Sequence, residues 1–168
     1  MKTFAILLCL LTTSFAAAPA RPNALPAEAV SAIKTGTKFV LFSLEPPSAP
    51  DFKVPDPKTE ENHHGFKILG SIELADAPSR ASAVAAIVDA VRAFNGGVAA
   101  CFEPRHSLRV ISASGITYDF VACFECASIR VYRGNESIGD AGITGSQKRL
   151  DDLLLREKIP LAKPHSVK

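Results

Sequence analysis

Apolar positions along the chain follow two rhythms. "TKFVLFSLEP" (Thr37 to Pro46) and "GFKILGSIEL" (Gly65 to Leu74) are β-branched and aromatic enough to predict strands, the first halted at Pro46-Pro47. From Ser79 to Phe94 the spacing becomes helical: Val84, Ile87, Val88, Val91 and Phe94 recur on one side, with Arg80, Asp89 and Arg92 opposite. Asp76 or Ser79 caps this helix around Pro78, and Asn95-Gly96-Gly97 ends it. Between Val98 and Arg133, "VAACFE", "SLRVIS", "ITYDFVACFE" and "ASIRVYR" predict four short strands joined by tight turns, an antiparallel meander. A loop, "RGNESIGDAG", leads to a last helix over roughly 146–157, with Leu150, Leu153 and Leu154 on one side and Pro160 beyond it. The order predicts an α+β fold: a two-layer sandwich of antiparallel sheet with two helices on one face.

Five prolines between Pro46 and Pro57, followed by an acidic polar stretch, make 45–62 a surface loop that has too little apolar material to build core. The remaining organisation is a polar lead-in at 21–36, a single domain at 37–163 and a tail at 164–168. Ahead of it, Lys2, the apolar run from Phe4 to Leu11 and the small residues "AAAPA" predict a secretory signal over 1–20, cut after Ala20. That run is too short to span a bilayer, so no stable membrane span is expected after cleavage. Cys9 lies inside it and is expected to leave with the signal.

Export changes how the charges and cysteines read. Without Lys2 the chain has 18 basic against 17 acidic residues, which gives no long-range pull toward nucleic acid or anionic lipid. It has no tryptophan and only two tyrosines, so aromatic platforms for sugars or single strands are not expected. Three cysteines remain in a compartment where paired thiols oxidise. In the expected meander, "CFEPRH" (Cys101 to His106) and "CFEC" (Cys123 to Cys126) both close rising strands, so Cys101, His106, Cys123 and Cys126 share one end of the sheet.

Several chemistries fit those four residues. A disulfide could join Cys123 and Cys126 if the chain turns at Phe124-Glu125, whereas Cys101 to Cys123 spans strands about 9.6 Å apart in flat sheet. Three cysteines and a histidine also match the tetrahedral set of structural zinc, with Cys123 and Cys126 as the knuckle. Cys123 with Cys126 could be a redox couple, although the pair closes a strand rather than opening a helix. Cys101 with His106 or His64 could be a thiol nucleophile and base, with no third orienting group in view. Free buried cysteines are the remaining reading. Around them, Glu103, Arg105, Arg109 and Glu125 could form an anion-binding corner or pair with one another at the rim. His63 and His64 could join a metal or simply be solvated. "GDAGITG", Gly139 to Gly145, lacks the lysine and spacing of a phosphate loop and reads as a flexible connection.

At "HHGFKILG", "CFEPRHSLRV" and "YDFVACFECASIRVY" the chain resembles a family of small exported bacterial proteins of unknown function. These share an HG before a strand, a CFxPRH turn and a CFxC segment. The resemblance implies an envelope or secreted setting and gives weight to His64, Gly65, Cys101, Pro104, Arg105, His106, Cys123 and Cys126 as a set; it implies no reaction or ligand. The expectation is a non-enzymatic exported binding or structural module with a disulfide-closed or zinc-bound rim. The alternative is an envelope thiol enzyme or redox protein using Cys101 and His106 or Cys123 and Cys126.

Overall fold

A computed structural model describes residues 23–47, 53, 55–56, 59 and 61–163. The expected signal peptide, its cleavage point, the tail and most of the proline-rich loop lie outside the described residues. The chain is α+β. In order it forms α1 (Ala27–Thr35), β1 (Lys38–Glu45), β2 (Asn62–His63), β3 (Phe66–Glu73), α2 (Ala77–Arg92), β4 (His106–Ile111), β5 (Thr117–Cys123), β6 (Ser128–Arg133), β7 (Glu136–Gly142) and α3 (Lys148–Arg156). The strands make one sheet in the order β2-β3-β1-β4-β5-β6-β7, every neighbouring pair antiparallel. No helix among the described residues is long and apolar enough to cross a membrane.

Strand alternation sorts the side chains into two clusters. Phe39, Leu41, Leu108, Val110, Phe120, Ala122, Ile129 and Val131 point to one side and pack with residues of all three helices, including Ala29, Ile87 and Leu154. On the other side Phe42, Leu44, Phe66 and Val121 form a smaller cluster, against which Val40, Ile68, Phe102 and Tyr132 pack. No helix among the described residues contributes to that second cluster, which makes this the open face of the sheet.

The helices begin and end for local reasons. The Asp76 side chain accepts a hydrogen bond from the Ser79 amide at 2.8 Å, with proline in the first turn, so α2 starts two residues before the apolar spacing does. Leu150, Leu153 and Leu154 are all buried, as their spacing in α3 requires.

Three expectations need correction. The predicted strand from Val98 to Glu103 does not form. β4 already has β1 on one side and β5 on the other, which leaves this segment no lateral place in the sheet. The expected meander and its pair of helices therefore differ from what is built. A strand, β7, occupies the stretch read as a loop, and a third helix, α1, lies within the polar lead-in. β7 contains two glycines and a bulge opposite Val131/Tyr132, and a Cβ at Gly142 would collide with the Phe94 ring. α1 buries only Ala29 and Ala32, too small an apolar stripe to register as periodicity.

Candidate functional site

The echo of "CFEPRH" and "CFEC" resolves into a stapled corner. Cys101 and Cys126 form a disulfide with Cα atoms 5.7 Å apart, inside the ordinary range for such bonds. The pairing expected between Cys123 and Cys126 is thereby corrected: Cys123 is the free thiol, buried at 1% exposure. Its Sγ instead accepts hydrogen bonds from the backbone N–H of Cys126 at 3.1 Å and of Glu103 at 3.4 Å. The Ala99 amide bonds to the Cys126 carbonyl and the Leu44 amide to the Arg105 carbonyl. Residues 99–105 are thus sewn along the end of the sheet rather than paired within it.

The same geometry dissolves the zinc set. Two of its thiols are spent on the disulfide, and His106 lies on the helix side, its Nε2 2.8 Å from Asp151 Oδ1 on α3. His106 pairs in register with Ala122, so Cys123, one residue further along β5, faces the opposite side. The redox couple falls with Cys126 bonded elsewhere. The nucleophile reading fares no better, because burial pushes the Cys123 thiol above its usual pKa and two N–H bonds do not offset it. Arg105, nearly buried, meets half-exposed Glu125 at 3.1 Å, the structural pairing of that corner.

A second constellation assembles on the open face from residues that are far apart in sequence. His64 has φ +54° and Gly65 φ +89°, both left-handed. Consecutive residues of a regular strand point to opposite faces; this turn breaks the alternation and lays both imidazoles, 4.7 Å apart, over the same side of the sheet. His63 stacks on Phe42 of β1, and His64 stacks on Tyr132 of β6 with ring centroids 3.8 Å apart and planes 13° from parallel. The expectation that these histidines are solvated is overturned, since His63 is 2% exposed and the His64 side chain 6%.

Beneath them lies Asp119 of β5, fully buried. Arg109, its register partner on β4, donates to it twice, Nε to Oδ1 at 2.7 Å and Nη2 to Oδ2 at 2.8 Å. His64 Nε2 is 2.7 Å from Asp119 Oδ2. A carboxylate only accepts, so that nitrogen carries the hydrogen. His63 Nδ1 faces Arg109 Nη2 at 3.5 Å, and His63 Nε2 lies 2.7 Å from Ser107 Oγ. Arginine only donates, so Nδ1 is the acceptor and Nε2–H donates to Ser107.

Burial alone would raise the Asp119 carboxyl, but hydrogen bonds from Arg109 and His64 and the neighbouring positive charge bring it down to about 2. Burial holds the His63 imidazole at about 4 against the pull of Asp119, which keeps it neutral at physiological pH. The Arg109 guanidinium is raised above its ordinary value, first by its hydrogen bonds to Asp119. A pocket of about 460 Å³ opens above the cluster, lined by Pro55, Asn62, His63, His64, Gly65, Arg109, Tyr132 and Asn135. It presents two imidazoles, that of His63 held neutral, with a half-buried guanidinium and an aromatic ring around a buried negative charge, a combination suited to holding a small polar ligand or ion.

His64 and Arg109 were legible as candidates, but their partner was not. Asp119 is the one charge inside "YDFVAC", and Arg109 the one charge inside "SLRVI". Two lone opposite charges in neighbouring apolar strands are the cue by which the sequence could have shown this pairing. No family model matches the chain, and neither curated proteins nor solved structures give a match.

Proposed function

We propose that the protein is an exported binding module that takes a small ligand on its open sheet face, with the cysteine corner as a brace rather than a reaction centre. The observation that carries this reading is the left-handed turn at His64. A non-glycine residue in that conformation costs about 1–3 kcal/mol and persists where the surrounding structure demands it. Here it delivers two buried imidazoles, which line a pocket, to a carboxylate buried beneath them. The signal-like N-terminus and the disulfide both suit an oxidising compartment. Among the described residues an enzyme working through a thiol has no accessible, activated sulfur to use.

The test is a two-dimensional amide NMR titration of the disulfide-bonded protein with zinc chloride, inorganic phosphate, acetate, imidazole and betaine in turn. At least one probe is expected to shift the amides of His63, His64, Gly65, Arg109 and Tyr132, and the response should vanish in His64→Ala. Shifts confined to residues 99–106 and 123–127, or no shifts with any probe, would sink the reading.

A further inference from the structure

The open-face cluster has the donors of a transition-metal site, with the guanidinium of Arg109 standing among them. One ligand atom each from His63, His64 and Asp119 lies within 4.8 Å of the others. Two imidazole nitrogens and a carboxylate oxygen are the donor set of late first-row divalent ions, and three protein ligands leave one position open to water or ligand. Bond lengths of about 2.0–2.1 Å correspond to donor separations of about 3.3 Å in a tetrahedron, so closing the set needs ring and carboxylate rotations of about 1.5 Å.

Arg109 Nη2 lies 2.8 Å from Asp119 Oδ2 and 3.5 Å from His63 Nδ1, hydrogen-bonded to two of the three donors. A cationic group therefore already sits beside the site where a metal would go. Its attachment is one-sided: the Arg109 side chain is 32% exposed while Asp119 is 0% exposed, and it lines the pocket through which it could leave. Besides its acceptors, the guanidinium has the Phe42 ring beneath its carbon at 5.3 Å, a cation–π contact that departure would break. The outer support of a metal site is also present, because Ser107 fixes the His63 ring by accepting from Nε2, leaving Nδ1 directed at the cluster.

Resting on the reading of this pocket as a ligand site, we infer that the ligand is a late first-row divalent metal ion, bound by His63, His64 and Asp119 in exchange for the guanidinium of Arg109. A simple structural ion pair would need only Asp119 and Arg109. The strained turn that brings two imidazoles over the carboxylate, with the acceptor nitrogen of His63 facing inward, is accounted for by a cation that prefers nitrogen. Arg109 then acts as a resident competitor, which keeps the carboxylate paired when no metal is bound.

Isothermal titration of the tag-free, chelator-treated, disulfide-bonded protein with zinc tests this, with magnesium as the oxygen-preferring control. One zinc per chain is expected, with no magnesium uptake. His63→Ala and His64→Ala should each weaken zinc at least tenfold. Arg109→Met should strengthen it at least tenfold; should that variant not fold, Arg109→Lys, which keeps the charge but loses the fork, should strengthen it by a smaller factor. No zinc uptake by the wild-type protein, uptake unchanged in both histidine variants, or weaker binding once Arg109 is replaced overturns the inference. If zinc fails while phosphate, acetate, imidazole or betaine still shifts the pocket amides, the metal falls and the pocket stands; if no probe shifts them, both fall.

Discussion

At the cysteine corner a covalent bond and a few backbone hydrogen bonds fasten an irregular segment to the end of the sheet, and the free thiol of Cys123 is buried against backbone N–H groups of the protein itself. At the histidine cluster the sheet spends a strained turn and a buried charge on a group of side chains that opens onto a pocket. Both regions contain the residues that stood out in the sequence. The difference is whether the reactive atoms have anywhere to meet a ligand: the thiol of Cys123 does not, and the imidazoles of His63 and His64 do. A motif rich in chemistry-bearing residues can thus be a fastening, while the side chains that line a pocket gather where alternation has been broken.

The comparison can be broken most forcefully at Asp119. Asp119→Ala leaves Arg109 and His64 without their buried acceptor and should cost about 3–5 kcal/mol in urea unfolding. A loss below about 1 kcal/mol would mean that the cluster is not the tightly paired unit described. Replacing both Cys101 and Cys126 with serine opens a loop closed over a sequence separation of 25, worth roughly 3 kcal/mol, and should lower the melting temperature without altering the response of the pocket amides to probes.

The neutral state of His63 gives a smaller effect, seen through pH. With metal chelated, the unfolded chain protonates this imidazole near 6.5 and the folded one only near 4, with His64, Asp119 and Arg109 around it. Between those values the unfolded state binds more protons, so stability should fall by about 2–3 kcal/mol as pH drops through that window. His63→Gln should flatten that slope; an unchanged slope would assign it to other groups. The smallest effect belongs to neither region. The exposed pair Lys148 and Asp152 on α3 should be worth only about 0.3–0.5 kcal/mol by double-mutant cycle.

The parts of the fold legible in sequence were those with strong periodicity and large side chains. β1, β3, α2 and α3 announce themselves because Phe39, Leu41, Ile87 and Leu154 must be buried. α1 was hidden because alanines at 29 and 32 bury little area, and β7 because glycine and acidic residues weaken strand preference while an edge position tolerates them. The segment from Val98 to Glu103 misled in the other direction: its apolar residues suited a strand, but the sheet had no open position beside β4. Of the site, His64 and Arg109 were visible as candidates, whereas the disulfide partner of Cys126 depended on that misplaced segment. Asp119 joins the histidine cluster only because β4, β5 and the β2–β3 turn converge, a long-range fact that local pattern does not encode.

The division between brace and site is tested most directly by one comparison of zinc isotherms, recorded where all proteins are folded: wild type, the Cys101→Ser/Cys126→Ser double variant, and His64→Ala. The cysteine variant should bind within about twofold of wild type, and His64→Ala should lose at least tenfold. The opposite result, with binding lost in the cysteine variant and kept in His64→Ala, would return the site to the cysteine corner and contradict the account.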